Sequence, residues 1–202
     1  MSTRKEVEVV MMELLGINNI PIHHIGTFMK NISFNPDGTL INVELQNSGI
    51  RYLPDAFGSL EATGDVNLMN NLIHELPESF MNIQIGGDLY LAFNNMVLSD
   101  TFGFLRVGGS LYLHNTNLES LPDTFGYIQV GGNLHLGDNK LDKIPDSFEH
   151  IIVDGKIYLN ENSIFVIPEV LKTSYFVDKI KIMAQREKDD VLRHEVDGAW
   201  RH

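Results

Sequence analysis

The sequence predicts a repeat solenoid built on parallel strands, and three periodic columns carry that expectation. An apolar-x-apolar pair returns six times, at Val43-Glu44-Leu45, Val66-Asn67-Leu68, Leu89-Tyr90-Leu91, Leu111-Tyr112-Leu113, Leu134-His135-Leu136 and Ile157-Tyr158-Leu159, with steps of 23, 23, 22, 23 and 23 residues. An aromatic column, Phe57, Phe80, Phe102, Phe125 and Phe148, keeps the same rhythm. So does a polar column, Ser48, Asn71, Asn94, Thr116, Asn139 and Asn162. A period of this length marks stacked units, because one unit cannot bury its own apolar face.

At the start of the chain, Val7, Val10, Met11, Leu14 and Leu15 have helical spacing. Thr3 and Glu6 form a capping box ahead of them, and Gly16 provides a stop. His23 and His24 read as polar surface. Ile32-Ser33-Phe34 and Leu40-Ile41-Asn42-Val43 then flank Asn35-Pro36-Asp37-Gly38. Pro suits the first central turn position and Gly supplies positive φ, which predicts a hairpin. Residues 1–38 are thus expected to cap the first edge, where a bare strand would template aggregation.

Residues 39–171 hold six units. The column five residues after each pair, Ile50, Ile73, Met96, Leu118, Leu141 and Ile164, joins the aromatic column to form the expected core. The polar column also points inward, where Asn can bond backbone groups left unpaired as each strand turns. Pro54, Pro77, Pro122, Pro145 and Pro168 recur on the returning side, predicting extended segments or tight turns there. The third unit, Val97 to Phe102, is a residue shorter and lacks Pro, so the stack is expected to bend or loosen at that point. Val170, Leu171, Phe176, Val177, Ile180, Ile182 and Met183 read as a helix covering the last unit. Residues 172–202 form this C-terminal cap and a polar tail, within the same single domain; the tail is the alternative partner-binding segment, and its end, with Trp200, is expected to be loosely ordered.

This pattern resembles the leucine-rich repeat family, whose core motif is matched from its second Leu onward, for instance in Leu134-His135-Leu136-Gly137-Asp138-Asn139-Lys140-Leu141. About two-thirds of the chain is covered. The short Pro-containing arm is most similar to compact repeats of bacterial, phage and giant-virus proteins. The resemblance implies a leucine-rich repeat solenoid with a curved parallel sheet on its concave face, and a protein-binding role. The chain departs from the motif where its first Leu belongs: Thr63, Gly86, Gly108, Gly131 and Asp154 stand there, usually followed by a second Gly. Ile128, Val130, Gly132, Leu134 and Leu136 alternate with polar or Gly residues, which predicts one strand running through the Gly pair. A phosphate loop is excluded, since no Lys-Ser/Thr follows these glycines.

With Leu134 and Leu136 inward, His135 and its neighbours face out onto the concave side. The central outward column is Glu44, Asn67, Tyr90, Tyr112, His135 and Tyr158. Before it run Asn42, Asp65, Asp88, Ser110, Asn133 and Lys156, and after it Gln46, Met69, Ala92, His114, Gly137 and Asn160. Strands about 4.8 Å apart make each column a continuous strip. Large, rigid rings with polar tips suit a protein-binding hot spot. Cross-strand aromatic packing that only stabilises the sheet is the structural alternative. Candidate site residues on this face are Glu44, Asp65, Asn67, Asp88, Tyr90, Tyr112, His114, His135 and Tyr158.

Composition narrows the function further. The 202 residues are 43% hydrophobic and 21% charged, ordinary for a soluble chain, with no apolar run long enough to span a membrane. The formal net charge is -12, with residues 1–171 holding 8 Lys and Arg against 21 Asp and Glu. Such a surface repels phosphate backbones, so no nucleic acid is expected. The absence of Cys removes disulfides, thiolate zinc sites and Cys nucleophiles, including the catalytic Cys of the ubiquitin-ligase domains that some bacterial repeat proteins carry. No catalytic motif occurs. His114 and His135 are neighbours without a third ligand, so no metal and no cofactor are expected. The reading is a non-enzymatic module that binds a protein or peptide, monomeric or weakly self-associating, in the cytoplasm or, if viral, in an infected cell. The alternative is a self-associating structural component.

Overall fold

A computed structural model describes residues 1–164 and the short strand 180–181. Helix α1 (Arg4–Ile17) opens with the expected capping box and buries Val7, Val10, Met11, Leu14 and Leu15. It ends one residue beyond Gly16, where Asn18 takes over. The Asn18 amide donates to the Leu14 carbonyl at 2.8 Å, and its oxygen accepts from Arg51 N at 2.7 Å and Tyr52 N at 3.1 Å. One side chain therefore closes the helix and ties it to the first unit. His23 and His24 lie exposed in a 3-10 turn, followed by a short helix that the sequence pattern did not reveal, α2 (Ile25–Lys30).

Strands β1 (Ile32–Phe34) and β2 (Leu40–Glu44) form the expected antiparallel hairpin. Gly38, at φ +86, donates to the Asn35 carbonyl across the turn at 2.9 Å. From β2 onward, each unit adds one parallel strand to each of two sheets. The first sheet gains β4 (Val66–Asn67), β6 (Leu89–Tyr90), β8 (Leu111–Tyr112), β10 (Leu134–His135) and β12 (Ile157–Tyr158). The second holds β3 (Glu61–Ala62), β5 (Gln84–Ile85), β7 (Arg106–Val107), β9 (Gln129–Val130) and β11 (Ile152–Val153). Register follows the sequence period, with Val43, Val66, Leu89, Leu111, Leu134 and Ile157 side by side.

The strand expected to run through each Gly pair is instead two strands in two sheets. The chain bends at the pair. Each sheet is a parallel ladder between neighbouring units, with Gly86 N donating to Ala62 O in the second and Val66 N to Asp88 O in the first. Glycine is required by close approach. A Cβ on Gly108 would lie 2.4 Å from the Gly86 carbonyl oxygen, and one on Gly131 would lie 2.2 Å from that of Gly108.

The core is the stack of predicted columns. Phe57, Phe80, Phe102, Phe125 and Phe148 are all buried, each within or beside a short 3-10 turn on the returning side. The Phe57–Phe80, Phe102–Phe125 and Phe125–Phe148 rings stack near-parallel at 5.9–6.2 Å. Among the described residues the break in this ring ladder falls between Phe80 and Phe102, at the shortened third unit. There β5 and β7 share a single paired position, Ile85 with Val107.

The C-terminal helix expected over Ile180 and its neighbours is corrected at two residues. β13 (Ile180–Lys181) is a strand, paired in parallel with β12 as Ile157 with Ile180 and Tyr158 with Lys181. The step is again 23 residues, so a strand was legible in the spacing of Ile180-Lys181-Ile182. The rest of the expected helix, Pro168 and the tail lie outside the described residues. Among the described residues no helix is long and apolar enough to cross a membrane.

Candidate functional site

Two ladders of polar side chains set the outward face of the first sheet. The inner one is the expected Asn column. The Asn139 oxygen accepts from Thr116 N at 3.0 Å and Leu118 N at 3.1 Å, while its amide donates to the Leu113 and Leu136 carbonyls at 2.9 and 3.0 Å. Asn71, Asn94 and Asn162 bridge neighbouring units in the same manner. Among the described residues every buried side-chain N or O has a hydrogen-bond partner.

The second ladder lies in the column that holds the candidate residues Asp65 and Asp88. Asp65 N donates to Asn42 Oδ1 at 2.8 Å, Asp88 N to Asp65 Oδ1 at 2.7 Å, and Ser110 N to Asp88 Oδ1 at 2.6 Å. Asn133 N donates to Ser110 Oγ at 3.0 Å, and Lys156 N to Asn133 Oδ1 at 2.8 Å. Each side chain therefore satisfies the next unit's backbone. The second Gly of each pair makes room for it, since a Cβ on Gly87 would lie 2.1 Å from Asp65 Oδ1 and one on Gly132 would lie 2.4 Å from Ser110 Oγ.

Between the ladders stand the rings. Val43 to Ile157 on one side and Leu45 to Leu159 on the other are buried, so the residue between each pair faces out, half-buried. Tyr90 and Tyr112 stack at 4.5 Å and 5°, Tyr112 and His135 at 4.5 Å and 11°, and His135 and Tyr158 at 4.6 Å and 8°. These four rings form one unbroken stack. Face-to-face packing turns their edges and polar tips outward. Each such pair contributes about 0.5–1.5 kcal/mol beyond burial, so the stack stabilises the sheet whatever else it does. Tyr90 OH donates to Asp88 Oδ2 at 2.9 Å. Burial, then that hydrogen bond and the Asp88 charge, push the Tyr90 hydroxyl above its ordinary value.

His114 stands edge-on to this stack, 6.2 Å from the Tyr112 ring and 6.3 Å from that of His135. On its other side is a residue the sequence reading missed. Phe93 meets His114 at 5.2 Å and 85°, and is 47% exposed. Its backbone is left-handed, at φ +58, in a column whose other members at positive φ are Asn47, Asn70, Asn115, Asp138 and Glu161. Asn and Asp tolerate that conformation, whereas a bulky apolar residue there costs about 1–3 kcal/mol. The signal was present in the sequence as one aromatic in a column otherwise made of Asn, Asp and Glu.

Burial lowers the pKa of His114, with Asp138 opposing. Burial and then the neighbouring His114 lower that of His135, with Asp88 opposing.

The candidate residues thus separate into three groups. Tyr90, Tyr112, His135, Tyr158 and His114 come together in one cluster. Glu44 and Asn67 extend the column beyond Tyr90 without rings, in register on β2 and β4. Asp65 and Asp88 flank it, each with one oxygen committed to the ladder. Among the described residues no group of three or more His, Asp or Glu is placed to hold a metal ion. No known family model matches this chain, and no curated protein matches it.

Proposed function

We propose that the chain is a leucine-rich repeat solenoid acting as a non-enzymatic interaction module. It takes a protein or peptide segment on the concave face formed by the outer side of the first sheet. The observation that carries this reading is the four-ring stack from Tyr90 to Tyr158, with His114 and the exposed Phe93 beside it. Rings fixed by one another lose little freedom on binding, and that pre-organisation favours recognition. Replacing Tyr90, Tyr112 and Tyr158 together with Ala should abolish capture of a partner identified with the wild-type chain. The Tyr→Phe set, which keeps the stack, should retain the fold and separates lost tips from lost structure. Unchanged capture by an Ala variant with native circular dichroism would refute the reading.

A second reading is a structural component that associates with its own copies. Phe104 and Tyr127, at the ends of 3-10 turns, and Ile152, on β11, favour it, being 58%, 50% and 50% exposed, with Tyr127 stacked on His150 at 5.3 Å. Sedimentation across a concentration series separates the two. A strict monomer disfavours assembly, and concentration-dependent growth that Tyr127→Ser removes would favour it.

A further inference from the structure

Two side-chain choices on the ring-bearing face go beyond what the fold requires. The outer ladder needs only one acceptor oxygen per unit, and Asn42, Ser110 and Asn133 supply it without charge. Asp65 and Asp88 make the same bond with a carboxylate, so the ladder itself does not need their charge, although Asp88 also takes the Tyr90 hydroxyl on its second oxygen. The column beside the rings needs a residue at ease at positive φ. Phe93 is not one, and its ring is half in water, where burial returns little for the conformation. Backbone strain kept at an exposed aromatic is a pointer toward function.

Charge settles which partner suits these two features. Residues 1–164 carry 8 Lys and Arg against 20 Asp and Glu, and Glu44, Asp65 and Asp88 all lie on or beside the ring column. Opposite charge across an interface steers association and fixes register. We infer that the occupant of this face is a lysine- or arginine-bearing segment of a partner protein, its charges facing Glu44, Asp65 and Asp88 and its apolar atoms against Phe93 at the rim. This rests on the concave-face reading and specifies the partner's chemistry. The aliphatic stems of Lys and Arg suit the pairing, since they bury CH₂ groups on an aromatic while the charged head stays solvated beside a carboxylate.

The test is selection of a phage-displayed random dodecapeptide library on the full chain. Selected sequences should be rich in Lys and Arg. The Asp65→Asn/Asp88→Asn pair preserves the ladder oxygens and should bind the selected peptides about tenfold more weakly at low salt, the gap closing in high salt as screening removes the charge effect. Phe93→Asn should also bind about tenfold more weakly, while its unfolding midpoint rises by a few degrees. Acidic or uncharged selected sequences, no selected peptide, or wild-type affinity in the Asp→Asn pair would overturn the inference. Wild-type affinity in Phe93→Asn removes its rim contact, and an unchanged or lower midpoint removes the strain argument. The Tyr90, Tyr112 and Tyr158 Ala variant keeps the two levels apart. If it loses the peptides while the Asp and Phe variants keep them, the face binds but this chemistry is wrong. If it binds as the wild type does, the face itself is wrong.

Discussion

Asn139→Ala should be among the most destabilising single substitutions in the stack, and the structure sets its size. Asn139 joins the fourth and fifth units through one oxygen and one amide. Its acceptor carbonyls do not lose all their partners: Leu113 O also accepts from Thr116 Oγ1 at 2.7 Å, Leu136 O from the Asn162 amide at 2.9 Å, and Gly137 O, the third acceptor, from Asn115 N at 3.2 Å. The backbone donors have no such reserve. Thr116 N and Leu118 N both donate to Asn139 Oδ1, at 3.0 and 3.1 Å, in a buried setting. A buried donor left unmade costs about 1–3 kcal/mol, so two give about 2–6 kcal/mol. Against a total stability of about 5–15 kcal/mol, that is a large fraction. Urea denaturation followed by circular dichroism measures it directly, with the thermal midpoint falling by about 2–4 °C per kcal/mol for a chain of this size. A loss below about 1 kcal/mol would show that the ladder is not what joins the units.

Other outcomes follow from the same geometry. Gly132→Ala places a Cβ 2.4 Å from Ser110 Oγ and 2.7 Å from Ser110 N, and should lower the urea midpoint clearly. Gly26→Ala, with nothing within 4 Å of the new Cβ, should leave it unchanged or raise it slightly. His114 and His135 are held below the ordinary value near 6.5, so below that pH the unfolded chain binds more protons than the folded one. Their share of stability is therefore fully present above about pH 6.5 and is lost as pH falls through the depressed folded values. NMR titration of the two rings should give pKa values under 6.5, and a His114→Gln/His135→Gln chain should lose less stability between pH 7 and pH 5 than the wild type. Ring pKa values at or above 6.5 would contradict the burial argument.

The stack was readable because every unit repeats the same environment, so Leu, Phe and Asn return at each position that needs them. That logic located the buried pairs, the Phe column and the inner Asn ladder down to individual residues. It failed at the Gly pairs, where parity alone cannot tell a continuing strand from a bend; Val130, Gly132 and Leu134 keep their alternation across a step from the second sheet to the first. It failed at Ile180 too, where helical spacing in a short apolar stretch hid the next 23-residue step. On the candidate face, the Tyr90-Tyr112-His135-Tyr158 strip followed from side-chain alternation. The ladder role of Asp65 and Asp88 did not, because it depends on how closely one unit's side chain approaches the next unit's backbone. Phe93 was overlooked since its distinction is a backbone angle and not an apolar period.

The most direct measurement on the central claim is photo-crosslinking of the partner from two positions, one on the first sheet and one in the 3-10 turn that precedes β9. A benzophenone-bearing phenylalanine replaces Tyr112 on the first sheet in one chain and Tyr127 beside the second in another. Binding on the ring-bearing face predicts a covalent partner adduct from position 112 and none from 127. An adduct from 127 alone would place the partner elsewhere and leave the ring stack a purely structural feature.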